Sequence, residues 1–347
     1  MIFNKILETL LERKNLSMEE SFELASAIIR GELSEAQTSA ILVALRAKGE
    51  TSQEIAGFAL SMRNFSVRIG PWYDAVDTAG TGGDGFGTFN ASTASAIIIS
   101  RSVKVAKHGN RGISSRSGSA EFLETLGYNV LVRPEEAESL VQNSGFVFLF
   151  AQFYHPSMKN VAPIRKALGI RTIFNILGPL TNPAGVRKQV IGVYSRDLLQ
   201  PISEALFTLG VENVYLVHGY PGIDEVSVSG VTEVIRIKRK SYEKFRISLE
   251  DLKLKEPINI DKLKVQEPED SALRFIRALN GKDDDVKKFI TANSALALLA
   301  SESVSSVTDG LDYAEQLIAQ GNETLRKVVS SHGDIHKIEK LEEMTAI

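Results

Sequence analysis

An apolar residue recurs every three to four positions in the opening stretch of the chain, as on one face of an α-helix. Phe3, Ile6, Leu7 and Leu10 begin the series. Three Ser/Thr-x-x-Glu/Gln signatures come next, Ser17 with Glu20, Ser34 with Gln37 and Thr51 with Glu54. Each marks a helix start at which two unpaired backbone donors are satisfied reciprocally. Gly31 and Gly49 stand where helices end on a glycine. The pattern predicts four short helices over the first 65 residues. The third, Glu35–Lys48, carries Ile41, Leu42 and Leu45, apolar enough for a bundle interior or a subunit interface. No chemical cluster falls here, so residues 1–70 read as a small helical domain.

From Pro71 the period switches repeatedly between two and 3.6. Strands are predicted at Ala75–Thr78, Val103–Ala106, Asn129–Leu131, Phe146–Phe150, Val190–Tyr194 and Val214–His218. Helices are predicted at Ala91–Ser100, Ser117–Leu126, Pro134–Asn143, Ser157–Leu168 and Leu198–Leu209. This alternation implies an α/β domain with a mostly parallel sheet covered by helices, binding ligands at the carboxyl ends of its strands. After Gly230 come hairpin patterns at Thr232–Lys238 and Lys244–Leu249. Helices at Asp270–Leu279, Asp285–Ser301 and Thr308–Ser330 close the fold, and the charged residues beyond them read as frayed.

The composition narrows the classes of function. With 347 residues, 43% apolar and 24% charged, the chain suits two globular domains. Its 40 basic and 43 acidic residues give a net charge of −3, so no global basic field points to nucleic acid or an anionic membrane. The absence of cysteine excludes disulfides, thiol nucleophiles and cysteine–metal sites. The five histidines, at 108, 155, 218, 332 and 336, have no metal-ligand spacing. The opening residues do not resemble a signal peptide, and no apolar run approaches the ~20 residues of a membrane span. A cytoplasmic enzyme is the expectation.

The chemistry gathers after the predicted strands. Gly80, Gly82, Gly83, Gly85 and Gly87 lie between Ala75–Thr78 and the helix from Ala91. Strand, glycine loop and helix N-terminus together suit a phosphate, because glycine lets the backbone approach and free N–H groups face the anion. Asn90, Ser92 and Thr93 add capping or oxyanion-binding side chains. No Gly-Lys-Ser/Thr follows, and Asp84 would put a carboxylate against a pyrophosphate in a dinucleotide reading. Asp84 makes more sense beside a divalent metal or a sugar hydroxyl. A second loop, Lys107-His108-Gly109-Asn110-Arg111-Gly112-Ile113-Ser114-Ser115-Arg116-Ser117-Gly118-Ser119, offers three cations and four serines. It reads as a second phosphate cradle, or, taken alone, as a solvated basic loop. Asp224-Glu225 reads as solvated surface by itself and as a Mg²⁺ pair if it converges on the phosphate loops.

The segments GTGGDGFGTFNAST, KHGNRGISSRSGS, FVFLFAQFYHPSMKNVAPIRKALGIRTIFNILGPLTNP and HGYPGIDEVS together resemble the anthranilate phosphoribosyltransferases, over nearly the whole chain. The resemblance implies a helical domain at 1–70, joined by helices near 155–180, and an α/β domain formed by 71–154 and 181–347. It implies a homodimer joined through the helical domains, with phosphoribosyl pyrophosphate (PRPP), anthranilate and Mg²⁺ as substrates and cofactor. Gly80, Gly83, Asp84, Thr88, Asn90, Ser92, Thr93, Lys107 and Ser119 would hold PRPP. Ser92, Asp224 and Glu225 would bind the metal. Gly80, His108, Asn110, Arg165 and Pro179 would line the anthranilate site. The basic loop departs from the family's common Arg-Ala-Val-Ser-Ser-Lys, reading Arg111-Gly112-Ile113-Ser114-Ser115-Arg116; the glycine loosens it and the arginine changes the geometry of its charge.

These residue types fit such a reaction. An aryl amine is neutral at pH 7 and needs no general base to attack, and no convincing base is offered. Charge grows on the departing pyrophosphate, which Lys107, a metal and loop N–H groups could stabilise. Arg165 offers a planar fork for a carboxylate. Two other readings are weighed. Pyrimidine nucleoside phosphorylases share a Lys-His-Gly loop but lack the ILGPLTNP segment and the Asp-Glu pair. A nucleic-acid-binding relative would need a basic groove and eroded site residues, against which the net charge and intact motifs count.

Overall fold

The structure, a computed structural model, describes residues 2–112, 118–239 and 241–346. Helices α1 (Ile2–Leu11), α2 (Met18–Arg30), α3 (Glu35–Lys48) and α4 (Ser52–Asn64) form the opening bundle. All three anticipated capping boxes are closed, and Gly31 ends α2 in the left-handed conformation. Glu54 does more than cap. Buried, it accepts from Leu16 N at 3.0 Å and Lys48 Nζ at 2.9 Å, joining α3 to the start of α4. Helices α2 and α4 cross in direct contact at Gly57, where a Cβ would lie 2.4 Å from the Met18 carbonyl.

The rest is a seven-stranded sheet wrapped by helices. In chain order it comprises β1 (Val76–Gly80), α5 (Ala91–Ile99), β2 (Val105–Gly109), α6 (Ser119–Thr125), α7 (Pro134–Ser144), β3 (Phe146–Phe150) and α8 (Ala151–Tyr154). Next come α9 (Ala162–Leu168), α10 (Phe174–Leu177), β4 (Lys188–Gly192), α11 (Leu199–Thr208), β5 (Asn213–Gly219), β6 (Thr232–Lys238) and β7 (Ser241–Ile247). The chain closes with α12 (Pro268–Leu279), α13 (Asp284–Ser301), α14 (Val307–Ala319), α15 (Gly321–Ser331) and α16 (His336–Ala346). The sheet order is β3-β2-β1-β4-β5-β6-β7, with β1 to β5 parallel and the last two strands antiparallel. Consecutive strands build outward from β1 on one side and from β4 on the other. The crevice between β1 and β4 is therefore a topological switch point, where such sheets bind ligands.

Side chains of period two divide between two cores. Val190, Tyr215 and Val217 face α5 and α13, while Ile191, Val214 and Leu216 face α11, α10 and the opening bundle. The stretch from about 155 to 180 crosses between these layers, with Val161, Ile164, Phe174 and Leu177 buried in the bundle-side core.

Several expected elements change. The single helix over Ser157–Leu168 is a 3₁₀ turn (Pro156–Asn160) followed by α9, because Pro163 has no N–H with which to continue a helical ladder. No strand forms at Asn129–Leu131; Asn129 N donates to His332 O, and the Asn129 side chain accepts from Leu131 N. The single helix over Thr308–Ser330 breaks at Gly321, where a Cβ would lie 2.5 Å from Leu279. The tail is not frayed: α16 buries Ile338 and Leu341 and engages Arg326 through Glu342. Strand β2 runs beyond the expected Ala106 and into the motif, so Lys107 and His108 project from the sheet rather than from a loop.

Candidate active site

The loop after β1 has glycine where its path requires it. Gly82, Gly83, Gly85 and Gly87 all take positive φ, between 63° and 84°. Asn90 caps α5 by accepting from Thr93 N at 3.1 Å, and Thr88 comes directly after the last glycine of the loop. Gly80 and Gly192 are required for another reason. A Cβ on Gly80 would stand 2.2 Å from Asp224 Oδ2, and one on Gly192 1.5 Å from the Asp224 carbonyl. The turn after β5 thus lies directly on the ends of β1 and β4. Gly82 N donates to Asp224 Oδ2 at 2.6 Å, and Thr88 Oγ1 donates to Glu225 Oε2 at 3.3 Å. The acidic pair expected to converge on the glycine loop does so.

Asp84 joins them. Burial, then the charge of Asp84, raises the Asp224 carboxyl; burial followed by both aspartates raises Glu225 well above the ordinary range. Burial also raises Asp84. No lysine or arginine among the described residues comes within ion-pair distance of the three. Acids held so close, with no cation in direct contact among the described residues, suit a hard divalent cation. The described residues gather no set of three His, Cys, Asp or Glu side chains in metal-holding geometry. An Mg²⁺ ion needs only one or two carboxylates, the rest of its shell being water and phosphate. Ser92 shares hydrogen bonds with Asn90 and Lys107, at 3.3 and 3.4 Å.

Lys107 is buried on β2, its Nζ donating to Thr78 O in a short bond and to Ser92 Oγ. Burial lowers its pKa to about 8 against the opposing pull of Asp77 and Glu225, so it remains mainly cationic at neutral pH. In sequence Asp77 reads only as strand, although a charge in an apolar strand is the available signal. Its carboxylate accepts from His108 N at 3.2 Å and Asn182 Nδ2 at 2.9 Å, and burial raises its pKa against the charge of Lys107. Gln189 Nε2, within reach of the same carboxylate, donates to Pro179 O at 2.9 Å. Asp77 therefore ties β2 to the Gly178–Pro179 turn.

His108 packs 5.1 Å from His155, ring to ring. Burial, and secondarily His155, lowers its pKa to about 3, and burial lowers that of His155 to about 4. Neutral His108 must donate its Nδ1 proton to Gly178 O, 3.1 Å away, which leaves Nε2 as a bare acceptor; that atom is buried without a partner. Asn110 Oδ1 accepts from Arg111 N at 2.8 Å, and Ser119 begins α6. Arg111 is not free to hold an anion: Glu124 engages it with bonds of 2.6 and 2.7 Å. Ile113, Ser114, Ser115, Arg116 and Ser117 lie outside the described residues.

Arg165, on α9, lies 6.0 Å from the Phe174 ring, and burial lowers its pKa. Neither it nor Arg171 has a carboxylate partner among the described residues. Nothing in the sequence pattern singles out Arg171. Its guanidinium stacks 4.0 Å from the centre of the Tyr194 ring, and a Cβ on Gly83 would lie 3.3 Å from its Nε.

A glycosyl transferase family's helical bundle domain matches residues 4–66, and its a/b domain matches residues 72–324. The anthranilate phosphoribosyltransferase of Saccharolobus solfataricus is 50% identical over 341 residues, 98% of each chain. The chain belongs to the anthranilate phosphoribosyltransferase family. Another member, from Sulfolobus acidocaldarius, is 47% identical over 95% of this chain and 96% of its own. Among solved anthranilate phosphoribosyltransferases, that of Thermus thermophilus superposes with a TM-score of 0.87 at 35% identity, covering 94% of this chain and 98% of that one. The Saccharomyces cerevisiae enzyme in complex with PRPP and Mg gives 0.85 at 29% identity, covering 95% and 97%. As an anthranilate phosphoribosyltransferase, the chain is an enzyme with a helical domain and an α/β domain.

Proposed function

We propose that this enzyme transfers the phosphoribosyl group of PRPP to the amine of anthranilate in tryptophan biosynthesis. The N–C1 bond forms as the C1–oxygen bond to pyrophosphate breaks, and the aryl-ammonium then loses a proton. The observation that carries the reading is the Asp224–Glu225 pair fastened to a glycine loop at the switch point, with Lys107 on the adjacent strand. Gly80, Gly83, Asp84, Thr88, Asn90, Ser92, Thr93, Lys107 and Ser119 hold PRPP. Asp224 and Glu225, with Ser92, would hold Mg²⁺, which when bound offsets charge on the diphosphate.

Lys107 supplies fixed positive charge to the leaving group, and its burial strengthens that interaction. Anthranilate lies along Gly80, His108, Asn110, Arg165 and Pro179, its carboxylate taken by the Arg165 fork. His108 Nε2 accepts a hydrogen bond from the amine and can take its proton after attack. Residues 1–70, with the helices near 155–180, move as one domain against 71–154 and 181–347; closure brings Arg165 to the sugar and excludes water. Two copies pair through the helical domains.

The test is loss of anthranilate fluorescence on mixing with PRPP and Mg²⁺, beside a nucleic-acid gel shift. Consumption that requires all components, with no shift, supports the reading. Phosphorolysis of a pyrimidine nucleoside without anthranilate turnover would replace it.

A further inference from the structure

Arg171 is a cation with no carboxylate counter-ion among the described residues, set beside the glycine loop at Gly83. Its main-chain position is fixed by its neighbours: Thr172 N donates to Asn175 Oδ1 at 2.9 Å, and Asn175 N to Thr172 O at 2.9 Å. Its guanidinium face is covered by Tyr194, just past the end of β4. Tyr194 N in turn donates to Thr81 Oγ1 at 3.1 Å, so stack and loop share one support. Face-on stacking leaves the in-plane N–H donors at the guanidinium edge, the geometry that binds phosphate oxygens. Gly83 keeps the space beside that edge free of a side chain. The three acids of the same loop region are not its partners either.

We propose that Arg171 is a further binding residue for the diphosphate of PRPP, reaching it from the crossing segment on the side of the loop occupied by Gly83. The proposal rests on the phosphoribosyl-transfer reading. Lys107 approaches from β2, whereas Arg171 approaches from the segment that also carries Arg165 and Pro179. A diphosphate held by both would draw the amine site towards the sugar. By linkage, PRPP would then tighten anthranilate binding, and anthranilate would tighten PRPP binding by the same factor.

The experiment is calorimetric titration of PRPP with Mg²⁺ into the full-length protein without anthranilate, with thermal unfolding followed on the same samples. Arg171→Leu, which keeps apolar cover on Tyr194, is expected to raise Kd by about 10- to 100-fold with little change in Tm. Arg171→Lys should recover part of that loss, and Tyr194→Phe, which keeps the stack, should bind as wild type does. Pyrophosphate with Mg²⁺, used as a second probe, should show the same order. Wild-type Kd in Arg171→Leu would overturn the proposal. So would weak binding in step with a fall in Tm and no recovery in Arg171→Lys, the pattern of a purely structural stack. A wild-type protein that binds no PRPP would instead overturn the reading beneath it.

Discussion

Asp224 and Glu225 occupy a place where burial and mutual repulsion oppose ionisation, so their chemistry should follow pH. Raised above their unfolded values, the two carboxyls stabilise the metal-free protein fully below about pH 4. That contribution falls as pH rises through the folded value, about 7 for Asp224. Metal binding requires the ionised forms, so millimolar Mg²⁺ should raise Tm more at pH 8 than at pH 6, as thermal unfolding would show. Asp224→Asn with Glu225→Gln should flatten that dependence; an unchanged Mg²⁺ response would remove the pair from the metal site. Arg165 offers a separable test. Losing a charge-assisted carboxylate pair costs on the order of 2–4 kcal/mol. Steady-state kinetics of Arg165→Ala should therefore show a large rise in KM for anthranilate and little change in that for PRPP; equal rises would make the residue structural.

At the scale of elements, local signals are legible in the chain and long-range ones are not. The capping boxes, the glycine loop and the acidic pair are written in adjacent residues, and each forms as expected. Lys107 and His108 stand out as residues yet read as part of a loop, because periodicity does not distinguish the end of a buried strand from the turn after it. Asp77 and Arg171 take their roles from partners far away in the chain: Asn182 for one, Gly83 and Tyr194 for the other. The same holds for Gly192, which reads simply as the middle of a strand until Asp224 is laid against it. Gly192→Ala should cost roughly 1–3 kcal/mol or more, since backbone has to move. Gly178→Ala, with no atom within 4 Å of an added Cβ, should stay near wild type in denaturant midpoint. Equal midpoints for both would mean that the turn at Asp224 yields more readily than its packing implies.

For the whole molecule, the opening bundle rests on one face of the sheet through α4 and α11, with the crossing segment between them. It nonetheless leaves Leu11 61%, Val43 42% and Leu60 39% exposed on α1, α3 and α4. A second copy is the proposed cover. Sedimentation at micromolar concentration should therefore give a dimer, and Val43→Glu with Leu60→Glu should shift it to monomer; a wild-type monomer would reject this pairing.

The seam between the glycine loop and Asp224 also bears on how the enzyme comes into being. Its two sides lie 142 residues apart in the chain. During synthesis the glycine loop emerges long before the turn that closes it; β4 can already support it through the Thr81 N to Gly192 O bond, but until the turn arrives the loop lacks Asp224 and Glu225. Chains stalled between Thr93 and Asp224 would carry the most recognisable part of the site and none of its function. Activity is thus a reading of completed topology, acquired only when the fifth strand has docked and its turn has come to rest on the first.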